Sequence, residues 1–326
     1  MSTTMTRTLG RSGIPVSALG VGCWAMGGRG WGGGADDAES IRALHRALDM
    51  GVNFFDTADV YGFGRSERVL GQALAGRRDK AVIATKFTWT WDEATQIDTG
   101  PNVTPEYIRS ACEASLKRLN TDVIDLYQFH WNDYGPEGAE QIRDVLEGLV
   151  AAGKIRTYGW STDFPERARI FAQGQHCSAI QVEMNVIDDA PDIVAVCEEF
   201  DLAAINRGPL AMGLLTGKYA PRVTLPEDDV RGPKAPEWMK YFKNGQPNPE
   251  WLDKVNAAGE ILRSGGRTLA QGALAWLWAR SEKAIPIPGF RTTAQVEENC
   301  GALAFGPLTP EQMREIDTLL GRAAVA

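Results

Sequence analysis

Four residues able to move or hold a proton stand where apolar runs stop. Asn53-Phe54-Phe55 leads into Asp56, with Tyr61 five residues on; Ala81-Val82-Ile83-Ala84-Thr85 ends in Lys86; the run from Val123 to Phe129 ends in His130. Such runs of β-branched and aromatic residues read as buried strands. An unpaired charge is excluded from a strand interior, so its place is the rim where the strand ends. Three successive strands ending on one rim bring Asp, Tyr, Lys and His together. A tyrosine hydroxyl can protonate a carbonyl oxygen that is becoming an alkoxide, but its ordinary pKa near 10 makes it a weak acid at neutrality. A neighbouring ammonium lowers that pKa. Lys86 can supply it, Asp56 can keep Lys86 charged, and a neutral His130 can orient the oxygen. This is a kit for reversible carbonyl reduction, with hydride arriving from one side and a proton from the other. Singly, a Tyr or His at a strand end is more often packing, and an Asp–Lys pair more often a salt bridge. The joint occurrence carries the reading. His45 and His176 have no such setting and read as surface or packing residues.

The elements that must position these residues alternate. Strand patterns lie near 18–22, 53–56, 81–86, 123–130, 155–160, 179–183, 202–206 and 284–287, and helical patterns at 36–50, 66–75, 104–119, 137–152, 165–173, 189–200 and 268–280. Thr6–Leu9 and Ile14–Ser17 ahead of them read as a hairpin. Thr104-Pro105-Glu106 and Asp163-Phe164-Pro165-Glu166 look like helix starts, and Gly51, Gly153 and Gly174 fall where helices end. The alternation predicts an α/β fold with a parallel sheet. Eight strands close a (β/α)8 TIM barrel, here with an N-terminal hairpin and extra C-terminal helices; an open doubly wound sheet is the competing architecture. Residues 1–326 are expected to form a single domain. Gly27–Gly34, Thr88–Pro101 and residues 219–250 break the rhythm, each after a strand's C-terminal end, where long loops build and cover pockets.

Composition excludes several classes. The net charge of −8 is scattered in both signs, with no basic block to meet a nucleic acid. Five cysteines (23, 112, 177, 197 and 300) without a C-x-x-C motif suggest neither a disulfide framework nor a metal site. The N-terminus has no apolar signal-peptide core and no run approaches the roughly 18 apolar residues of a membrane span. A cytoplasmic location is therefore expected, with no membrane or nucleic-acid partner; oligomeric state is unreadable.

Gly20-Val21-Gly22-Cys23-Trp24-Ala25 fits the degenerate dinucleotide pattern G-x-G-x-x-G/A, but the true fingerprint opens directly into a helix. The six glycines that follow between 27 and 34 would each cost a helix about 1 kcal/mol. The segment reads instead as a loop over the pocket, with Gly22 and Trp24 near cofactor or substrate. A better nucleotide signal is Pro288-Gly289-Phe290-Arg291-Thr292, a tight turn into a helix whose free N–H groups, beside Arg291, suit a phosphate. Trp24, Trp31, Trp89, Trp91 and Trp131 all fall on or just after strand ends. Aromatic walls there favour an apolar, planar carbonyl substrate, and Trp24, Trp31, Trp89 and Trp131 are taken as the pocket. Trp276 and Trp278 read as core.

Together these strings resemble the aldo-keto reductase family. FFDTADVYG at 54–62, ATKF at 84–87 and LYQFHW at 126–131 are similar to its motifs for the catalytic Asp, Tyr, Lys and His, and the similarity extends from ALGVGCWAMGG at 18–28 through GPLAMGLLTGKY at 208–219 to IPGFRTTAQVEEN at 287–299. The resemblance implies Tyr61 as general acid, Lys86 and Asp56 as tuning groups and His130 as orienting group, with NADPH as cofactor and aldehydes or ketones reduced to alcohols. It also implies that Ser161 and Gln181 hold the nicotinamide carboxamide. The stretch from Gly208 through Pro209, Leu210, Gly213 and Leu215 to Lys218 would straddle the pyrophosphate. Ile287, Pro288, Gly289, Arg291, Gln295, Glu298 and Asn299 would hold the adenosine 2′-phosphate and adenine, and Arg291 favours NADPH over NADH. Two departures stand out. Thr162 replaces a frequent Asn, which shifts one carboxamide contact to a hydroxyl. Asn206-Arg207 stands where relatives carry an aromatic, which stacks on the nicotinamide, and a serine; Arg207 either reaches the pyrophosphate or forms a structural ion pair. Two other functions stay open: a Schiff-base aldolase using Lys86, disfavoured by Asp56, and a non-catalytic cofactor-sensing regulator of the same fold.

Overall fold

The computed structural model describes residues 5–219 and 223–322. Residues 1–4 of the N-terminal segment, 220–222 of the 219–250 excursion and 323–326 lie outside the described residues.

Every strand anticipated from the sequence forms. After a hairpin of β1 (Thr6–Thr8) and β2 (Pro15–Ser17) come β3 (Gly20–Gly22), β4 (Phe54–Asp56) and β5 (Val82–Phe87). A second hairpin, β6 (Trp89–Asp92) and β7 (Ile97–Pro101), precedes β8 (Ile124–Phe129), β9 (Ile155–Ser161), β10 (Cys177–Glu183) and β11 (Ala203–Arg207). A short pair, β12 (Phe242–Lys243) and β13 (Gln246–Pro247), and then β14 (Ala284–Pro286) complete the set. Eight of these form one sheet in the order β3-β4-β5-β8-β9-β10-β11-β14, all pairs parallel. Gly22 N–H donates to Pro288 O at 3.0 Å and Gly22 bridges Gly289, which joins the two edges into a barrel.

Helices α1 (Asp37–Asp49), α2 (Arg65–Ala73), α3 (Pro105–Leu119), α4 (Ala139–Ala151), α5 (Pro165–Ala172), α6 (Pro191–Glu199) and α8 (Leu269–Arg280) lie where the periodicity puts them. Thr104 caps α3, its hydroxyl accepting from Tyr107 N–H at 3.3 Å. Beyond them are α9 (Thr293–Gly301) and α10 (Pro310–Leu319). Helix α7 (Pro249–Arg263) was not anticipated, because its Pro, Trp and charged start blends into the irregular excursion before it. The segment Thr88–Pro101 is likewise a β-hairpin rather than a featureless loop.

Two cores follow from the period of two along each strand. Phe55, Ile83, Tyr127, Ile180, Val182 and Ala204 face the helix layer. Phe54, Val82, Ala84, Leu126, Ala179, Ala203, Ile205, Ile285 and Ile287 fill the barrel itself. Leu9, Ile14 and Val16 of the hairpin join that inner cluster, so the hairpin plugs the N-terminal end of the barrel. Gly10, at φ +48°, makes this plug possible: a Cβ there would stand 2.2 Å from Ser178 O. Trp276 and Trp278 are buried in the outer core, as the sequence suggests. No helix among the described residues is long and apolar enough to cross a membrane.

Candidate active site

Counting two residues on from the inner core places the polar layer at the C-terminal mouth. Asp56 follows Phe54, Lys86 follows Ala84, Gln128 follows Leu126, Gln181 follows Ala179, and Arg207 follows Ile205, each on the barrel-facing phase. The sequence-predicted four meet here. Lys86, fully buried, directs its three ammonium hydrogens to Asp56 Oδ1 at 2.6 Å, Thr57 O at 2.7 Å and Tyr61 OH at 3.4 Å. The Tyr61 and His130 rings meet edge to face with centroids 6.0 Å apart.

The other Asp56 oxygen accepts from Gln181 Nε2 at 2.7 Å and Gln128 Nε2 at 3.0 Å. Sequence reasoning missed Gln128; its signal is a polar residue in an otherwise apolar strand, on the same phase as Lys86. The Gln181 amide nitrogen is therefore committed to Asp56 rather than left free for a carboxamide.

Burial is the largest influence on the fully buried Lys86 and on the partly buried Tyr61 and His130. It pushes the Tyr61 hydroxyl above its ordinary value, and the lowering by Lys86 is too weak to reverse this, with the nearby Asp56 charge opposing it. This corrects the expectation of a lowered tyrosine: Tyr61 stays protonated as a neutral acid. Burial also works against the Lys86 charge, but Asp56 and Tyr61 hold its pKa above the usual lysine value. Burial, reinforced by the Lys86 and Arg207 charges, drives His130 well below 6.5, so its ring is neutral. Its Nδ1 is sealed without a partner.

Several anticipated cofactor contacts prove differently committed. Asn206 lies on the phase of Ala204, facing the helix layer, with both amide atoms buried and unpartnered; the period of two puts Arg207 at the mouth instead. Arg207 is held in ion pairs by Asp163 and by Glu183 at 3.2 Å, so the ion-pair reading of this residue describes its state. Asp163 accepts from Glu183 N–H at 2.8 Å rather than capping α5, whose N-cap is Phe164. The Thr162 hydroxyl donates to Asn132 O at 2.8 Å and faces no open space. Leu215 and Ile287 put their side chains into the cores, leaving only backbone for a ligand.

The segment from Gly208 to Lys218 and the turn at 288–291 border one cationic patch. Lys218 is lowered by burial and by the charges of Arg231 and Arg291. Mutual repulsion of this kind is relieved when an anion stands among the cations. Gln295 Oε1 accepts from Arg291 N–H at 2.7 Å, and Asn299 Nδ2 donates to Gly289 O at 3.4 Å. Glu298 lies close enough to raise Lys218, with its carbonyl taken by Gln271. The start of α9 already attracts a carboxylate: Thr293 N–H donates to Glu39 Oε1 at 2.6 Å and helps hold Glu39 down to about 2. Gly22, at the barrel seam, would press a Cβ to 2.6 Å from Ile287 O.

Aromatic rings rim the mouth. Trp24 stacks on Tyr61 at 5.9 Å and meets Trp31 edge-on at 4.9 Å. Trp89 and Trp131 lie 5.9 Å apart beside His130, whose carbonyl accepts from Trp89 Nε1 at 2.8 Å. Trp91 instead stacks on Phe63 at 5.7 Å. Trp238 of the 219–250 excursion, missed in the sequence, sits 6.2 Å from Trp24.

A barrel with Asp, Tyr, Lys and His converging at its C-terminal mouth, beside a cationic patch, has the architecture of a nicotinamide-dependent carbonyl oxidoreductase. Residues 18–320 match the Aldo/keto reductase family. The chain is 35% identical to the aldo-keto reductase yakc [NADP(+)] of Schizosaccharomyces pombe, over 95% of this chain and 90% of that one. Among solved structures it is similar to the glycerol dehydrogenase AKR11B4 of Gluconobacter oxydans, with a TM-score of 0.82 and 33% identity over 100% of this chain and 98% of that one. It is also similar to an aldo/keto reductase of Klebsiella pneumoniae in complex with NADP and acetate, with a TM-score of 0.71 and 27% identity over 99% and 97% of the two chains. The chain belongs to the aldo/keto reductase family and is an oxidoreductase.

Proposed function

We propose that this single-domain chain reduces aldehydes, and ketones of suitable shape, to alcohols with NADPH. The observation that carries the reading is the Lys86 ammonium shared among Asp56, Thr57 O and Tyr61 OH. NADPH, when bound, supplies the hydride for the carbonyl carbon. Lys218 and Arg291 would hold its phosphates, with the backbone of Gly208–Leu210, Gly213 and 287–289 lining its path, and Ser161 and the free Gln181 oxygen would meet the carboxamide.

Tyr61 then donates its proton to the substrate oxygen. Its raised pKa keeps the proton available throughout the neutral range. Lys86, locked by Asp56, places positive charge beside the tyrosinate as it forms and lowers the cost of that charge. Gln128 and Gln181 fix the Asp56 carboxylate and thereby the Lys86 position. The neutral His130 ring shares the substrate oxygen with Tyr61 and adds no competing charge. Positioned proton donation of this kind contributes roughly 10²–10⁴-fold. The tryptophans around Tyr61 shield the reacting oxygen from water.

The test is the loss of reduced-nicotinamide absorbance with benzaldehyde, NADPH and NADH run side by side. Turnover that prefers NADPH and collapses in Tyr61→Phe, with NADPH affinity retained, is the expected result. Tight NADPH binding with no turnover of any aldehyde or ketone would overturn it and favour the regulatory reading.

A further inference from the structure

We propose that Trp238 is a specificity-determining residue, the outer wall of a substrate slot that selects extended planar carbonyl compounds, such as two fused aromatic rings, over small aliphatic ones. The inference rests on the reductase reading and concerns the same site.

Trp238 is 56% exposed, an unusual state for an indole on a fixed segment. The segment is fixed on its C-terminal side. Met239 and Tyr241 are buried, at 4% and 1% exposure. Lys240 pairs with Asp188 and with Glu183 at 3.3 Å, and Asn185 Nδ2 donates to Tyr241 OH at 2.8 Å. A turn in which Met239 N–H donates to Pro236 O at 2.9 Å completes the hold. The indole is thus exposed and yet kept in one place.

That place continues a series of neighbouring rings that begins at the proton donor. Tyr61 and Trp24 are 5.9 Å apart with planes 25° from parallel, and Trp24 and Trp238 are 6.2 Å apart at 41°. Trp31, edge-on at 4.9 Å, stops Trp24 from turning away. The three rings form one wall, and their spacing is too tight for a ligand ring to slide between them. A ligand lies along the wall instead. With its carbonyl at Tyr61, a one-ring aldehyde reaches Trp24, and a second fused ring reaches Trp238. A three-carbon aldehyde touches neither outer ring. An aromatic contact adds about 0.5–1.5 kcal/mol beyond the area it buries, which is about two- to thirteenfold in affinity.

The experiment compares propanal, benzaldehyde and 2-naphthaldehyde with saturating NADPH in the full chain, in Trp238→Ala and in Trp238→Phe. The expected result is about a two- to thirteenfold rise in KM for 2-naphthaldehyde in Trp238→Ala, none for benzaldehyde or propanal, and recovery in Trp238→Phe. An equal loss for all three substrates, or no loss for any, overturns the proposal. Calorimetric binding of 2-naphthamide, which cannot be reduced under these conditions, to the NADPH complex separates the two readings. If no aldehyde is turned over, the reductase reading fails, while weaker 2-naphthamide binding in Trp238→Ala still supports the slot and unchanged binding sinks it.

Discussion

Arg291 Nη1 donates to the carbonyl oxygen of Trp31 at 2.7 Å, and the same guanidinium reaches the carbonyls of Gly32, Gly33 and Gly34 at 3.3–3.4 Å. The Gly-rich loop carrying a pocket tryptophan is therefore strapped to the turn that begins α9. Its other side is tied by Val230 N–H to Gly30 O at 2.8 Å and by Gly33 N–H to Asp228 at 3.2 Å.

A phosphate at this turn competes with four neutral carbonyls for one cation, and a dianion wins such a contest. Arg291→Met is expected to raise KM for NADPH roughly tenfold, the scale of one charge-assisted contact, and to leave KM for NADH within about twofold. The two constants measured side by side check this. Equal effects on both cofactors would mean that Arg291 serves the loop and not the phosphate.

Lys86 and Asp56 form a buried pair, and removing one partner strands the other. Lys86→Met is expected to cost about 3–5 kcal/mol in urea unfolding, because Asp56 is left in the core without its cation. The double variant Lys86→Met/Asp56→Asn is expected to recover most of that stability and none of the turnover. Recovery of activity in the double variant would show that the pair only supports the fold.

Much of this site was legible because its chemistry sits at strand ends. Asp56, Lys86 and His130 are conspicuous where apolar runs stop, and eight such runs define the barrel by count. Phase was harder to read. Asn206 and Arg207 are adjacent and both polar, and only the observed register shows that Arg207 faces the mouth while Asn206 faces the helices. Net electrostatics was not legible either: the lysine beside Tyr61 argued for a lowered pKa, whereas the hydration lost by its partly buried hydroxyl outweighs it. Trp238 was hidden because nothing in a Pro- and charge-rich excursion says which of its residues folds back over the barrel.

His130 carries a pH signature. Its folded pKa lies well below 6.5, so the unfolded chain takes up a proton that the native protein refuses. The stability tied to its neutral state is complete above about pH 6.5 and declines as pH falls toward the folded pKa. His130→Gln removes this term. Urea midpoints at pH 8 and pH 5 are expected to fall further in the native protein than in His130→Gln. Parallel losses would show that the imidazole becomes charged without penalty.

Arg207 stands between two carboxylates at the mouth, and its pairing predicts a structural role. Burial works to raise the Glu183 pKa, but Arg207 and Lys240 outweigh it and hold Glu183 below 4.5. A carboxylate depressed in this way contributes stability above its unfolded pKa and loses it as pH falls through the folded value. Arg207→Met takes away part of that contribution and leaves Asp163 and Glu183 facing each other. The expected cost is about 1–3 kcal/mol at pH 7, shrinking below about pH 4.5 as Glu183 takes up its proton. Arg207→Met/Glu183→Gln, with one repelling charge removed, is expected to regain part of the loss. NADPH affinity, measured by fluorescence titration, should stay within twofold, since the guanidinium is already saturated by its two acids. A tenfold loss of affinity without loss of stability would instead assign Arg207 to the cofactor phosphates.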